Sequence, residues 1–285
     1  MKRLSICLFS LVLASLGSLW SVPVAAQSTV TVRTVSLVTN DLVYDPISKK
    51  IYASVPSSAG TRGNSITLID PEKGTIEGSV FVGSEPNKLA LSDDGQYLYV
   101  GLDGAAAIRR FNIRTLTPEI QFQVGSDSFY GPIYVEDMAV RPGCPEEIAV
   151  SMRYQGVSPR HAGVAMFVNG VRKKDVTPGH TGSNVIEFST SPNRLFGYNN
   201  ETTDFGFRRM TINSDGIKIT DSAPNLVSGF GADIRAEGNW IYSNGGRVID
   251  PLTSTLVGTY TGLQSGSLVV PDPSVGRTFF LQTSG

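Results

Sequence analysis

Leu68-Ile69-Asp70-Pro71-Glu72-Lys73-Gly74-Thr75-Ile76-Glu77-Gly78 leads through Val82-Gly83-Ser84-Glu85-Pro86-Asn87 to Leu89-Ala90-Leu91-Ser92-Asp93-Asp94-Gly95, and then to Tyr97-Leu98-Tyr99-Val100. Short apolar runs in this stretch are cut by residues that turn a chain. Asp94-Gly95, between Leu91 and Leu98, is a hairpin signal, because glycine accepts the positive φ that a tight turn needs. Asp70-Pro71 ends a strand, because proline has no N–H for the ladder. The stretch therefore reads as antiparallel β-structure with short connections.

The pattern extends in both directions. Thirty glycines and sixteen prolines punctuate the chain into runs rich in Val, Ile, Leu, Tyr and Phe, which is the composition of strands. Long helical periodicity is absent beyond the first residues. Paired strands recur at Leu42–Pro46 with Lys50–Val55, Leu89–Ser92 with Tyr97–Gly101, and Met138–Pro142 with Glu147–Met152. They recur again at Ile186–Ser189 with Arg194–Asn199, Ala232–Ala236 with Asn239–Asn244, and Leu268–Pro271 with Arg277–Gln282. Third strands are expected at Ser65–Pro71, Ala107–Arg114, Gly163–Asn169, Gly206–Asn213 and Gly246–Pro251. Fourth strands are expected at Thr75–Val82, Pro118–Val124, Ile217–Ser222 and Thr255–Thr261. A four-stranded unit every 40 to 50 residues or so is the repeat of a β-propeller blade, since stacking around an axis covers both sheet faces. A β-sandwich does not require that constant interval. The fold class is all-β, a propeller of four-stranded antiparallel blades with six blade starts, six- or seven-bladed and with an incomplete last blade. Val30–Val38 is expected to supply the outermost strand beside Arg277–Gln282 or across a gap from it, with the domain continuing beyond Gly285.

The stretch from Ser65 to Gly101 resembles the YVTN-type repeat of bacterial extracytoplasmic propellers. That unit runs from an apolar-Ile-Asp turn through a Val-Gly-x-x-Pro loop to a Ser-x-Asp-Gly hairpin. Weaker echoes are Val248-Ile249-Asp250-Pro251 and Val270-Pro271-Asp272-Pro273. The resemblance implies a propeller, commonly seven-bladed, used for binding more often than for catalysis. It carries over no catalytic residue, because the matching positions serve turns and cores.

Lys2 and Arg3, an apolar run from Leu4 to Trp20, and Val24-Ala25-Ala26 before Gln27 have the three parts of a secretory signal peptide. Residues 1–26 are expected to be removed and 27–285 to form the propeller domain, secreted or periplasmic, with no transmembrane segment after cleavage. Net charge is −1, with 24 basic against 25 acidic residues. No basic run favours a nucleic-acid partner. Only Cys144 lies beyond the leader, so no intramolecular disulfide can form.

Phosphate loops, dinucleotide fingerprints and serine-hydrolase elbows are absent. His161 and His180 lie in polar loops without carboxylates or cysteines at ligand spacing. Arg109-Arg110 and Arg208-Arg209 hold matching third-strand positions, where alternation sends neighbouring side chains to opposite faces. The sharper signal comes from aligning the inner strands. Leu42 with Tyr44, Leu89 with Leu91, Met138 with Val140, Ile186 with Phe188, Ala232 with Ile234 and Leu268 with Val270 flank Val43, Ala90, Ala139, Glu187, Asp233 and Val269. Two consecutive copies thus place a carboxylate where the others are apolar. Glu187 and Asp233 are expected to meet in the axial channel, with Asn184 nearby, or to pair with Arg194, Arg208 or Arg235. Such a pair could share a proton or hold a divalent cation, the one cofactor the sequence suggests. The sequence therefore reads as a binding module for an unidentified protein or small molecule. A lactonase-like hydrolase with a channel metal and a structural surface protein are the alternatives.

Overall fold

The computed structural model describes residues 32–227, 229–263 and 267–282. The expected leader, residues 1–26, and the first two residues of Val30–Val38 lie outside them. Blade one is β1 (Asp41–Asp45), β2 (Lys50–Val55), β3 (Ser65–Asp70) and β4 (Thr75–Phe81). Blade two is β5 (Pro86–Leu91), β6 (Tyr97–Leu102), β7 (Ala107–Asn112) and β8 (Thr117–Gln123). A small hairpin, β9 (Ser126–Asp127) with β10 (Gly131–Pro132), leads to blade three. Blade three is β11 (Tyr134–Val140), β12 (Glu147–Arg153), β13 (His161–Val168) and β14 (Val171–Val176). Blade four is β15 (Val185–Phe188), β16 (Arg194–Tyr198), β17 (Gly206–Asn213) and β18 (Gly216–Pro224). Blade five is β19 (Ile234–Glu237), β20 (Trp240–Ser243), β21 (Arg247–Asp250) and β22 (Thr255–Thr259). The sixth unit has β23 (Leu268–Asp272) and β24 (Arg277–Leu281) among the described residues. Inner strands β1, β5, β11, β15, β19 and β23 neighbour one another in that order.

Local chemistry closes each hairpin. Gly95 has φ +61°, and the Ser92 hydroxyl accepts the Tyr97 N–H at 2.9 Å. At the end of each third strand but that of β13, an Asp or Asn side chain accepts backbone N–H groups of the following turn. Asp70 takes Lys73, Asn112 takes Arg114, Asn213 takes Asp215, and Asp250 takes Leu252. These are Asx turns, which accounts for the Ile-Asp signature structurally. Hydrogen bonds from the Lys73 N–H and ammonium and from Lys50 hold the Asp70 carboxyl well below the usual range.

The core is a series of layers between blades. Leu68 and Val82 of blade one pack with Leu98, Val100 and Phe111 of blade two. Tyr99 and Ile108 of blade two meet Ile148, Val150 and Phe167 of blade three. Val164 and Met166 meet Leu195 and Met210, and Phe196 and Phe207 meet Ile241 and Ile249. The outermost strands of blades three and four also touch, in a parallel bridge between Asp175 and Gly216.

Residues 32–38 form no ladder, which corrects the strand expected over Val30–Val38. Val35 and Leu37 instead pack on Ile51, Ala53, Val55 and Ile69, covering the face of blade one turned away from blade two. Arg33 crosses Gly74 as Phe122 of blade two crosses Gly170 of blade three. The segment therefore occupies the place of an outermost strand of a preceding blade. Among the described residues, nothing covers the inner halves of the two flanking faces. Leu42, Tyr44, Leu268, Val270, Phe279 and Leu281 are each between 49% and 63% exposed. The strand β14, Val171-Arg172-Lys173-Lys174-Asp175-Val176, was not anticipated, because its largely charged, exposed sequence lacks alternation.

Phe167 is 1% exposed and stacks near Phe122 with ring centroids 5.5 Å apart. Phe167→Ala should lower unfolding free energy by about 3–5 kcal/mol in urea denaturation. Phe279→Ala, on the uncovered face, should change it by under about 1 kcal/mol. Equal losses would mean that the blade face carrying Phe279 is covered.

Candidate functional site

The meander fixes which loops meet at each end of the channel. Inner strands begin at the front face, where the second strands end, so loops after β2, β6, β12, β16 and β20 share that face with the connections between blades. A β-bulge between Val135 and Asp137 inserts one residue into β11. Bulges re-aim side chains, and this one brings consecutive acids, Glu136 and Asp137, to the front of the channel.

The structure places the expected residues as follows. Glu187 Oε1 accepts from Arg235 Nη1 at 2.7 Å, and Asp233 Oδ2 lies 3.9 Å from Arg235 Nη2. Arg235 thus bridges both acids, while Arg194 and Arg208 do not reach them. Arg208 pairs with Asp204 at 2.7 Å, and Arg209 with Asp221 at 2.5 Å. The blade-five alignment needs correction. Ile234 packs in the layer with blade four, as Ile186 packs with blade three, so the equivalent of Glu187 is Arg235 and not Asp233. The residues two places earlier are Asp41, Lys88, Asp137, Val185, Asp233 and, in the sixth unit, Leu268. Asn184 is fully buried and sits away from this pair, donating to Glu201 Oε2 at 3.2 Å.

Two of the earlier-position acids tie blades together. Asp41 accepts the N–H of Leu89 at 2.9 Å, and Asp137 accepts that of Ile186 at 2.8 Å. Burial pushes the Asp137 carboxyl up to about 7, opposed by Lys88 and reinforced by Asp233 and Glu187. Burial also disfavours the Lys88 charge, yet Asp137, Asp41 and Asp233 together hold its ammonium above the ordinary value. Arg235 is held up chiefly by Glu187, and burial raises Glu187 against Arg235. Arg235 is about half exposed, so solvent reaches this ion pair.

Above this layer a continuous polar chain crosses blades two, three and four. Asp103 Oδ2 accepts from Asn87 at 2.8 Å and from Arg153 Nη2 at 2.9 Å. Arg153 Nε lies 3.5 Å from Glu136 Oε2, and Arg160 Nη2 donates to Glu136 Oε1 at 2.7 Å. The backbone N–H of Arg160 donates to Glu201 Oε1 at 2.9 Å, and Glu201 holds Asn184. Burial raises Glu136, against Arg160 and Arg153. Asp103 Oδ1, Glu136 Oε2 and Asn184 Oδ1 are buried without a hydrogen bond. Beside the chain, Phe129, Tyr130 and Tyr154 form a run of rings with centroids 4.9 and 4.6 Å apart, and Phe205 meets Phe230 at 4.9 Å. Phe129 is 86% exposed.

Sequence reasoning missed Asp103, Glu136, Arg153, Arg160 and Glu201, which stand in loops or at a bulge outside any periodic pattern. The adjacent acids Glu136-Asp137 in an otherwise apolar inner strand were the available signal. His161 begins β13 rather than lying in a loop, and it bridges to His180. Burial and then Arg208 push it down to about 4, so it is a neutral core histidine whose Nε2 accepts the Ser183 N–H at 3.3 Å. Among the described residues, no three His, Cys, Asp or Glu side chains gather as a metal site requires. No described helix is long and apolar enough to cross a membrane.

No protein-family model and no characterised protein matches the sequence. Solved structures do match in shape. Hydrazine synthase of Kuenenia stuttgartiensis aligns with TM-score 0.55 and 14% identity, over 79% of this chain and 66% of that one. The Cps50 (Swd1) β-propeller domain of Myceliophteria thermophila aligns with TM-score 0.58 and 11% identity, over 88% of this chain and 73% of that one. At these identities the likeness establishes the fold alone. The chain is a β-propeller.

A double-mutant cycle tests the bridge at the channel. Arg235→Met should cost more in wild type than in a Glu187→Gln background, with a coupling of about 1 kcal/mol, modest because solvent reaches Arg235. Purely additive losses in urea denaturation would show that the two side chains do not interact.

Proposed function

We propose that this chain is an exported propeller of the YVTN type whose task is binding, with the ligand read at the front mouth of the channel over blades two to four. The observation that carries this is the charged chain from Asp103 to Asn184, drawn from three blades and holding buried oxygens without hydrogen bonds. Buried polar groups are normally satisfied, and each exception asks for an explanation. A mouth that gathers charged groups from three blades beside exposed rings has the composition of a recognition site. Export rests on Lys2-Arg3, the apolar run and Ala26-Gln27. The neighbours' shape agrees with a binding role, since propellers often serve as protein-binding modules. The metal-dependent hydrolase has less support, because Arg235 already engages Glu187 and approaches Asp233.

The test is a thermal-shift screen of the exported protein, its start first read by mass spectrometry and expected at Gln27. The screen would use amines, sugars, amino acids, nucleotides and divalent metal salts. At least one class should raise Tm, and the shift should vanish in Glu136→Gln while persisting in Lys73→Ala on the back face. A shift insensitive to Glu136→Gln, or none from any class, would overturn the assignment of the mouth.

A further inference from the structure

The face of blade five turned to the sixth unit is only partly filled. Trp240 and Tyr242 of β20 correspond to Tyr97 and Tyr99 of β6, because Tyr242 pairs with Arg235 as Tyr99 pairs with Ala90. In blade two both rings turn to blade three and are 8% and 1% exposed, under Ile148 and Val150 of β12 and Ala165 and Phe167 of β13. In blade five Trp240 is 38% exposed. Cover from a second strand is present there. Tyr260 meets Phe280 of β24 with ring centroids 5.2 Å apart, and its hydroxyl donates to that of Thr278 at 3.2 Å. The cover that β13 gives to blade two has no counterpart among the described residues. In its place is a cleft of about 400 Å³ walled by Trp240, Tyr242, Val248, Val257 and Tyr260. Arg277 and Thr278 of β24 border the same rings. Among the described residues, β24 is paired on one edge only, with β23.

A bare strand edge beside a side-chain pocket is the geometry of β-strand addition, in which main-chain hydrogen bonds supply affinity and the pocket supplies specificity. We propose that the sixth unit takes its third strand in trans: an extended segment of another polypeptide pairs antiparallel with β24 and sends alternate apolar side chains into the cleft. This site lies apart from the front mouth and adds a second binding surface to it. The third strands of complete blades fix the chemistry of the segment. β3 and β7 are six residues long, and β7 turns Phe111 to the preceding blade. An added strand of that kind continues the interface that Thr278 and Phe280 already make with Tyr260. A second copy of this chain does not fit. A twofold axis that pairs β24 antiparallel with its own copy leaves both Phe280 side chains on one face, and so drives the second copy's blade five into the first. Residues 32–38, which form no ladder, are held elsewhere by Val35 and Leu37 on blade one.

The probe is an acetylated and amidated peptide with the sequence Ala105–Arg114, which contains β7. Trp240 is the single tryptophan of residues 27–285, so its fluorescence reports on the cleft. In the protein alone Trp240 should be open to acrylamide quenching at every protein concentration. The peptide should shift the emission to the blue, saturably, and shield it from acrylamide. A peptide carrying Phe111→Ser should bind about tenfold more weakly. Val257→Lys in the protein should weaken the parent peptide by a similar factor at wild-type Tm. Alternate N–H groups of an added strand point at the edge it joins. N-methylation of one alternate set of peptide amides should therefore abolish binding, and N-methylation of the other set should preserve it. Equal effects of the two sets would overturn strand pairing. A peptide that leaves emission and quenching unchanged would overturn the proposal. So would a Trp240 already shielded in the protein alone: shielding lost on dilution would assign the cleft to a second copy, and shielding at every concentration to the chain itself.

Discussion

A four-stranded sheet with apolar residues on both faces is stable only between two others, and this constraint generates the rest of the molecule. Tyr99 and Ile108 are covered because Ile148 and Phe167 lie against them, and Ala149 and Val164 on the opposite face are covered by Leu195 and Met210. At about 25 cal/mol per Å² of apolar surface removed from water, these layers supply the main driving force. Rotation from one blade to the next leaves an axial space lined by the first residues of the inner strands. The channel and its polar lining are therefore consequences of how the faces are covered.

Within that space the sequence spends polarity where packing does not need apolar residues. Asp41 and Asp137 hold the inner strand of the next blade through its backbone N–H, so two acids at equivalent positions act as clasps between blades. Lys88 holds the same position in blade two, facing those acids rather than adding a third. Glu187 and Arg235 repeat the device two residues later as an ion pair between blades four and five. The mouth is built on this frame, since Glu136 reaches it only through the bulge beside Asp137. The two are linked further, because Glu136 of the mouth and Asp137 of the clasp are neighbours on β11.

The blades were legible in the sequence because their signals are local. Period-two alternation marks Leu89–Leu91, and Asp94-Gly95 marks its turn, whatever lies across the channel. Register was less legible. In blade five Ala232 and Ile234 are both apolar and two apart, so alternation could not choose between Asp233 and Arg235 as the partner of Glu187. Only burial of Ile234 against blade four decides it. β14 was hidden by its charges and 32–38 by its lack of a ladder partner. The mouth residues Asp103, Arg153, Arg160 and Glu201 belong to loops of different blades. Their meeting depends on rotation between sheets, which no single repeat encodes.

The inner strands enclose the axis enough to perturb the charges that line it. Asp137 reports this most directly. Its carboxyl is raised by burial to about 7, above the ordinary value of about 3.9. The unfolded chain therefore releases this proton at lower pH than the native one, and the group's contribution to stability is complete below about pH 4 and lost as pH rises through 7. Carbon-13 NMR titration of the aspartate carboxyl groups, with Asp137→Asn for assignment, measures it. One resonance titrating near pH 7, absent from the variant, is the predicted result. An Asp137 carboxyl that titrates near pH 4 would contradict the enclosed channel and the charge network built around it.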